Sequence, residues 1–183
     1  MTSRTEQQQA FESSFQTDLK AYLLRLGEVD DMLPDAPDIE GQWARIGEAY
    51  LPDAMREFQA YPTVALGWVM YVGMAVAKYW DEDWERYAKV ENLYVYLRDK
   101  QDFDHLDDYV RERVLRLSTP DAGRLQDIVA ECASRTYGRL HHLQLVPASP
   151  EAFYAFVAAL HQMYLMGAYM QLHRMGYHMT RLG

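Results

Sequence analysis

The chain has 183 residues, a length typical of one compact domain that can bury a sizeable core without a disulfide or a metal ion. Hydrophobic residues make up 49% of it, and this content excludes an intrinsically disordered chain. Its 18 basic and 27 acidic residues give a net charge of -9, and no run of Lys and Arg forms the basic patch that binding to nucleic acid or to an anionic membrane requires. We therefore expect neither a nucleic acid nor a membrane as a partner.

The single cysteine, Cys132, cannot form an internal disulfide. It falls at helical spacing with Leu125, Ile128 and Val129, which is typical of a small buried apolar side chain rather than of a reactive thiol. The first nine residues lack the apolar core of a signal peptide. We expect a cytoplasmic protein.

The amino-terminal third predicts two helices joined by a loop. Apolar residues recur at spacings of three and four from Phe11 to Leu26, which indicates an amphipathic helix that stops at Gly27. Residues 28–38 are acidic and contain two prolines, so a long loop is expected there. The second helix begins near residue 39, and we expect Pro52 to break or kink it.

The stretch 63–77 carries no charge and no polar face, a pattern that indicates a helix buried on all sides. It is shorter than the roughly 20 residues that cross a bilayer, and it ends at a charged segment, so a central core helix is the better interpretation. Gly67 and Gly73 weaken a helix interior unless a neighbouring helix packs closely against them. A break is expected near Asp81, followed by an amphipathic helix to about Leu97.

The remaining chain predicts three helices. Asp102 is placed to cap a helix that runs to Leu117, and Thr119-Pro120-Asp121 starts the next one with Thr119 as its N-cap. A similar start at Ser149 opens the last helix, which is strongly apolar over 152–170. We predict an all-α, single-domain bundle (1–183) of about seven helices around two apolar central helices (63–77 and 152–170), with frayed ends at 1–6 and 176–183.

His161 is the first candidate site residue, because an imidazole inside an apolar helix needs a hydrogen-bond partner or destabilises the fold. One interpretation is a core histidine that bonds to a tyrosine hydroxyl. The alternative is that His161 and Tyr164 line a ligand cavity between the two apolar helices.

Metal ligands are sparse in the sequence. Helical di-iron proteins use Glu-x-x-His pairs, and none occurs here. Asp104, His105 and Asp108 share one helical face and could hold a divalent ion, but the neighbouring pair Asp107 and Arg111 indicates an ordinary solvated charged face. We set aside His173 with His178, since their spacing does not put two imidazoles on one face of a helix. The sequence therefore predicts no metal and no cofactor.

Two groups of residues are candidates for an interaction surface. Trp80 and Trp84 lie one turn apart beside an acidic run, and the last helix carries methionines at spacings of three and four. Core packing is the favoured interpretation of both groups, and a surface for self-association or for a partner is the next one. The methionines are Met163, Met166 and Met170.

Three functions stay open. The sequence contains no Gly-x-Ser-x-Gly motif and no glycine-rich phosphate loop, while Trp, Tyr and Met are abundant. These features favour a non-enzymatic interaction protein that self-associates as a homo-oligomer, specifically a dimer. The alternatives are a small-molecule-binding protein with an apolar cavity near His161 and, less favoured, a metal-dependent enzyme that uses the Asp104, His105 and Asp108 face.

Overall fold

The computed structural model describes residues 4–178, and within this range it contains eight α-helices, one π-helical turn and no strand. The prediction of an all-α helical bundle is confirmed. The elements are α1 (Arg4–Arg25), α2 (Pro37–Gly41), α3 (Trp43–Phe58), α4 (Pro62–Tyr87), α5 (Leu93–Arg98), α6 (Leu106–Tyr109), the π-turn (Val110–Val114), α7 (Thr119–His142) and α8 (Pro150–Arg174). None of these helices combines the length and the apolar character that crossing a bilayer requires.

Helices α4 and α8 pack against each other more extensively than any other pair of described elements. Their backbones approach so closely at two glycines that a side chain would not fit. A Cβ atom on Gly73 would lie 2.0 Å from the carbonyl oxygen of Tyr164, and one on Gly167 would lie 2.1 Å from that of Met70. Helices α1, α3 and α7 pack around this pair.

Three local features can be compared with the sequence predictions. Helix α3 continues through Pro52, and a non-helical residue at Asp83 (φ -165°, ψ 75°) interrupts α4 close to the break expected at Asp81. The N-cap of α7 is Ser118 rather than Thr119, because the Ser118 hydroxyl accepts the bond from the Asp121 amide at 3.3 Å.

The single helix expected between Asp102 and Leu117 is replaced by α6 and the π-turn. The Leu115 amide donates a hydrogen bond to the Val110 carbonyl at 2.8 Å. This bond spans five residues instead of the usual four, so the helix is wider here. This wider turn contains Arg111, whose guanidinium lies in the protein interior.

The loop expected over 28–38 lies between the end of α1 at Arg25 and the start of α2 at Pro37. The expected fraying of the termini falls partly outside the described residues, since residues 1–3 and 179–183 are not among them. Residues 4–6 belong to α1, and residues 176–178 follow α8.

Candidate functional site

His161 lies in the middle of α8, where groups from three other helices surround it. Its Nδ1 contacts a carboxylate oxygen of Glu12 on α1, and its Nε2 lies 3.0 Å from a carboxylate oxygen of Glu40 on α2. The imidazole stacks on the indole of Trp43 in α3, with ring centroids 5.0 Å apart and an angle of 11° between the planes. Both nitrogens and one ring face are therefore engaged by the protein.

The two carboxylates fix the charge of this histidine. Burial alone would lower the pKa of His161, but the hydrogen bonds to Glu12 and Glu40 outweigh burial and raise the pKa to about 9. At neutral pH the imidazole is a cation that donates from both nitrogens. It thus connects α1 and α2 to α8 through charge-assisted hydrogen bonds, which are stronger than bonds between neutral groups.

Tyr164 lies one turn further along α8 and is fully buried. Its hydroxyl donates to the Ile39 carbonyl at 2.8 Å, and its ring stacks on Trp43 at 5.3 Å. The tyrosine partner expected for His161 is thus replaced by two carboxylates. A cleft of about 680 Å³ opens between α3 and α5, but neither His161 nor Tyr164 lines it. These contacts give His161 and Tyr164 a role in joining helices and disfavour a role in lining a ligand cavity.

The methionines predicted as part of an interaction surface are in the core. Met163, Met166 and Met170 are each 0% exposed, since α8 is covered on these sides by its neighbours, and they cannot form a surface of this chain. Trp80 and Trp84 are half-buried and pack against the core. The indole nitrogen of Trp80 also donates to the Asp38 carboxylate at 3.2 Å.

A different apolar surface is exposed where α3, α7 and α8 meet. Phe58 contacts Tyr137 at a ring-centroid distance of 6.0 Å and Phe156 at 4.8 Å, both in edge-to-face geometry. Met55 and Phe153, one turn from Phe58 and Phe156 along their helices, are 50% and 40% exposed, and Tyr137 is 38% exposed. We refer to these five residues as the aromatic face.

The metal site considered at Asp104, His105 and Asp108 is not assembled. The His105 Nδ1 contacts the Asp102 carboxylate at 2.7 Å, and Asp108 forms an ion pair with Arg111 at 2.6 Å. Both side chains therefore have partners outside the proposed set. They also do not belong to any metal-sized group of side chains in the described part of the chain.

The pair Asp107 and Arg111 is buried, although the sequence indicated a solvated face. One guanidinium nitrogen of Arg111 donates to the Tyr71 hydroxyl at 2.8 Å and to Asp107 at 3.1 Å, while another reaches Asp108. Arg111 and Asp107 are only 7% and 8% exposed. Spacing alone could not show this, because the π-turn rotates Arg111 towards Tyr71 on the central helix α4.

Sequence reasoning also missed a group of possible metal ligands. Asp30, His173 and His178 form the one such group among residues 4–178, with their ligand atoms within 4.8 Å of one another. On a continuous helix, the spacing of His173 and His178 would not put the two imidazoles on one face. Helix α8 ends at Arg174, and Gly176 turns the chain back with a φ of 95°. A glycine just before His178 was the available sign of this turn.

Comparisons with known proteins give no further guide to the site. No family model, no curated protein and no solved structure matches the chain.

Proposed function

We propose that the protein is a non-enzymatic, cytoplasmic interaction protein that forms a homodimer through the aromatic face. The observation that carries this proposal is the exposure of Met55, Tyr137 and Phe153 around the contacting rings of Phe58 and Phe156. Aromatic and methionine side chains are enriched at protein interfaces, and aromatic rings bury a large area there.

A second copy of the chain is the occupant that fits this surface best. In a twofold interface each patch meets its own copy, so the patch must be complementary to itself. Phenyl and phenol rings satisfy this requirement, since they can form edge-to-face pairs with identical rings. The chain carries a net charge of -9, whereas none of the five residues of the aromatic face is charged, so these residues themselves add no charge repulsion between two copies.

The two alternative functions have less support. A ligand at His161 would have to displace Glu12 or Glu40 from a nitrogen of the imidazole, at the loss of a charge-assisted hydrogen bond. The carboxylates of the Asp104, His105 and Asp108 face are directed to other partners or to solvent, so a metal-dependent enzyme at that place has no assembled ligand set.

Sedimentation velocity of the full chain over a range of concentrations tests the proposal. We expect the wild type to sediment as a dimer and Phe153→Asp to sediment as a monomer, because the substitution puts a charge on an exposed residue of the face. Leu24→Asp is a matched control: Leu24 is 38% exposed, close to the 40% of Phe153, but lies on α1, which contributes no residue to the face.

Two results would contradict the proposal. One is a wild-type protein that stays monomeric at every concentration. The other is a Phe153→Asp variant that dimerises as strongly as Leu24→Asp. Far-UV circular dichroism of each variant verifies that the helices are intact, so that loss of the dimer reports on the surface and not on unfolding.

A further inference from the structure

The ends of α1 and α8 bring a carboxylate and two imidazoles together. One oxygen of Asp30 lies 3.3 Å from the Nε2 of His173, and its other oxygen lies 3.3 Å from the Nδ1 of His178. The two imidazole rings are 4.5 Å apart and nearly perpendicular. Each of the three residues therefore offers one ligand atom, and these atoms lie within 4.8 Å of one another.

The turn after α8 holds His178 in this position. The Tyr177 amide donates to the Leu172 carbonyl and the Gly176 amide to the His173 carbonyl, both at 3.0 Å, which is the Schellman arrangement of a helix end. The side chain of Tyr177 is anchored as well, since its hydroxyl donates to Asp81 at 2.6 Å. His178 is thus fixed by its neighbour in the chain.

The segment that carries Asp30 is fixed in a similar way. Helix α1 also ends in a Schellman turn at Gly27, whose φ is 73°, and the next residue is the buried Glu28. The Glu28 carboxylate accepts a hydrogen bond from Arg174 at 3.2 Å and faces Arg124 at 3.5 Å. Glu28 lies two residues before Asp30, and Arg174 lies one residue after His173. Their ion pair therefore joins the end of α1 to the end of α8.

We propose that Asp30, His173 and His178 bind a divalent late first-row metal ion, with Zn²⁺ as its representative. Two imidazole nitrogens and one carboxylate oxygen are ligands that Zn²⁺ accepts, whereas Ca²⁺ and Mg²⁺ prefer oxygen alone. In a tetrahedral site with bonds of about 2.0–2.1 Å, neighbouring ligand atoms lie about 3.3 Å apart. One Asp30 oxygen lies at this distance from the Nε2 of His173, and the other Asp30 oxygen lies at this distance from the Nδ1 of His178; the three ligand atoms, one from each residue, lie within 4.8 Å of one another.

The site would connect the chain segment after α8 to the loop after α1. Its three protein ligands leave a fourth position for water, and the 52% exposure of the His178 side chain indicates that this position faces solvent. The site is independent of the aromatic face. His173 lies 17 residues after Phe156 on α8, which corresponds to about 25 Å along the helix axis.

Calorimetric titration of Zn²⁺ into the untagged full chain tests this proposal. The protein is first treated with a chelator to remove bound metal, and the chelator is then removed. We expect one ion to bind per chain. Asp30→Asn and His178→Gln should each weaken binding by about tenfold or more, because each removes a ligand atom. Both side chains are partly exposed, so neither substitution should unfold the protein, and circular dichroism verifies this.

His105→Gln is the matched control. Its imidazole is also exposed and also contacts an aspartate, and it belongs to the set of residues that the sequence had suggested as metal ligands. We expect this variant and Phe153→Asp to bind Zn²⁺ as the wild type does. The proposal is overturned if the wild type binds no Zn²⁺, if Asp30→Asn and His178→Gln bind it unchanged, or if His105→Gln weakens binding equally.

Discussion

His161 contributes to stability through its charge, and this contribution depends on pH. Its pKa is about 9 in the folded protein and 6.5 in the unfolded chain, a difference that corresponds to about 3 kcal/mol. Because the folded pKa is the higher one, the contribution is fully present below about pH 6.5 and is lost as the pH rises through about 9. In this interval the His161 imidazolium between Glu12 and Glu40 loses its proton and therefore its positive charge.

We predict that the wild type loses about 3 kcal/mol more of its unfolding free energy than His161→Gln does between about pH 6.5 and about pH 9.5. Glutamine keeps a polar side chain at this position but does not titrate. Urea unfolding of both proteins at several pH values measures the difference. Parallel pH profiles for the two proteins would show that the imidazolium does not stabilise the fold.

Arg111 is a second residue whose charge is buried. Burial raises the pKa of Asp107, and the neighbouring Arg111 guanidinium offsets only part of this effect. Removing the arginine would leave the Asp107 carboxylate in the interior without its counter-charge. The cost of an uncompensated buried charge exceeds the value of the pair itself.

Arg111→Met should therefore lower the unfolding free energy by about 3–5 kcal/mol. The double variant Arg111→Met with Asp107→Asn should be more stable than the single variant, because no charge then remains buried at Asp107. Urea unfolding of the two variants and the wild type gives both values. If the double variant is no more stable than Arg111→Met, the loss comes from packing and not from charge.

His161 and Arg111 show what can and cannot be predicted about single residues from the sequence. A polar residue in an apolar helix marked His161 as unusual, and this observation needed no structure. Its partners could not be found in the same way, since Glu12 and Glu40 are 149 and 121 positions away and look like ordinary surface glutamates in the sequence. Spacing on an ideal helix also misplaced Arg111, because the π-turn changes the direction of its side chain.

At the scale of helices, the crossing of α4 and α8 depends on two glycines. The sequence indicated that Gly73 requires a close neighbouring helix, and the structure shows α8 at that position. The contact is reciprocal, since Gly167 faces the backbone of α4 at the Met70 carbonyl. Any side chain at either position would force the helix backbones apart.

Gly73→Ala should lower the unfolding free energy by about 3 kcal/mol, a cost expected when atoms are forced into a packed core. Gly123→Ala is the control, because a Cβ at that α7 position meets nothing within 4 Å. It should instead raise stability by about 0.5–1 kcal/mol through better helix propensity. Thermal or urea unfolding distinguishes the two. A neutral Gly73→Ala variant would contradict the close crossing of α4 and α8.

Helix ends were harder to predict than helix interiors. The start of α8 at Ser149-Pro150 could be identified from its capping residue, and in the structure the Ser149 hydroxyl accepts a hydrogen bond from the Ala152 amide. The end of α8 matters more for function, and it depends on a left-handed residue, Gly176, that brings His178 back beside His173. Only the tertiary contact with the loop after α1 adds Asp30, and no local pattern encodes that contact.

At the scale of the whole molecule, the proposed self-association depends on the exposed aromatic face and is opposed by the net charge. An acidic chain repels its own copies over most of its surface, and the aromatic face offers an uncharged area where two copies can meet. The sequence suggested association through an excess of aromatic and methionine residues but could not say which of them are exposed. The helical methionines fill the core because α8 is enclosed, while Tyr137 and Phe153 reach the surface.

Native mass spectrometry of the untagged full chain, purified without chelator, tests the central claim most directly. We predict a species with the mass of two chains for the wild type and of one chain for Phe153→Asp, recorded at the same concentration and with both proteins folded. A wild-type spectrum that contains only the single chain at every concentration would contradict self-association through the aromatic face.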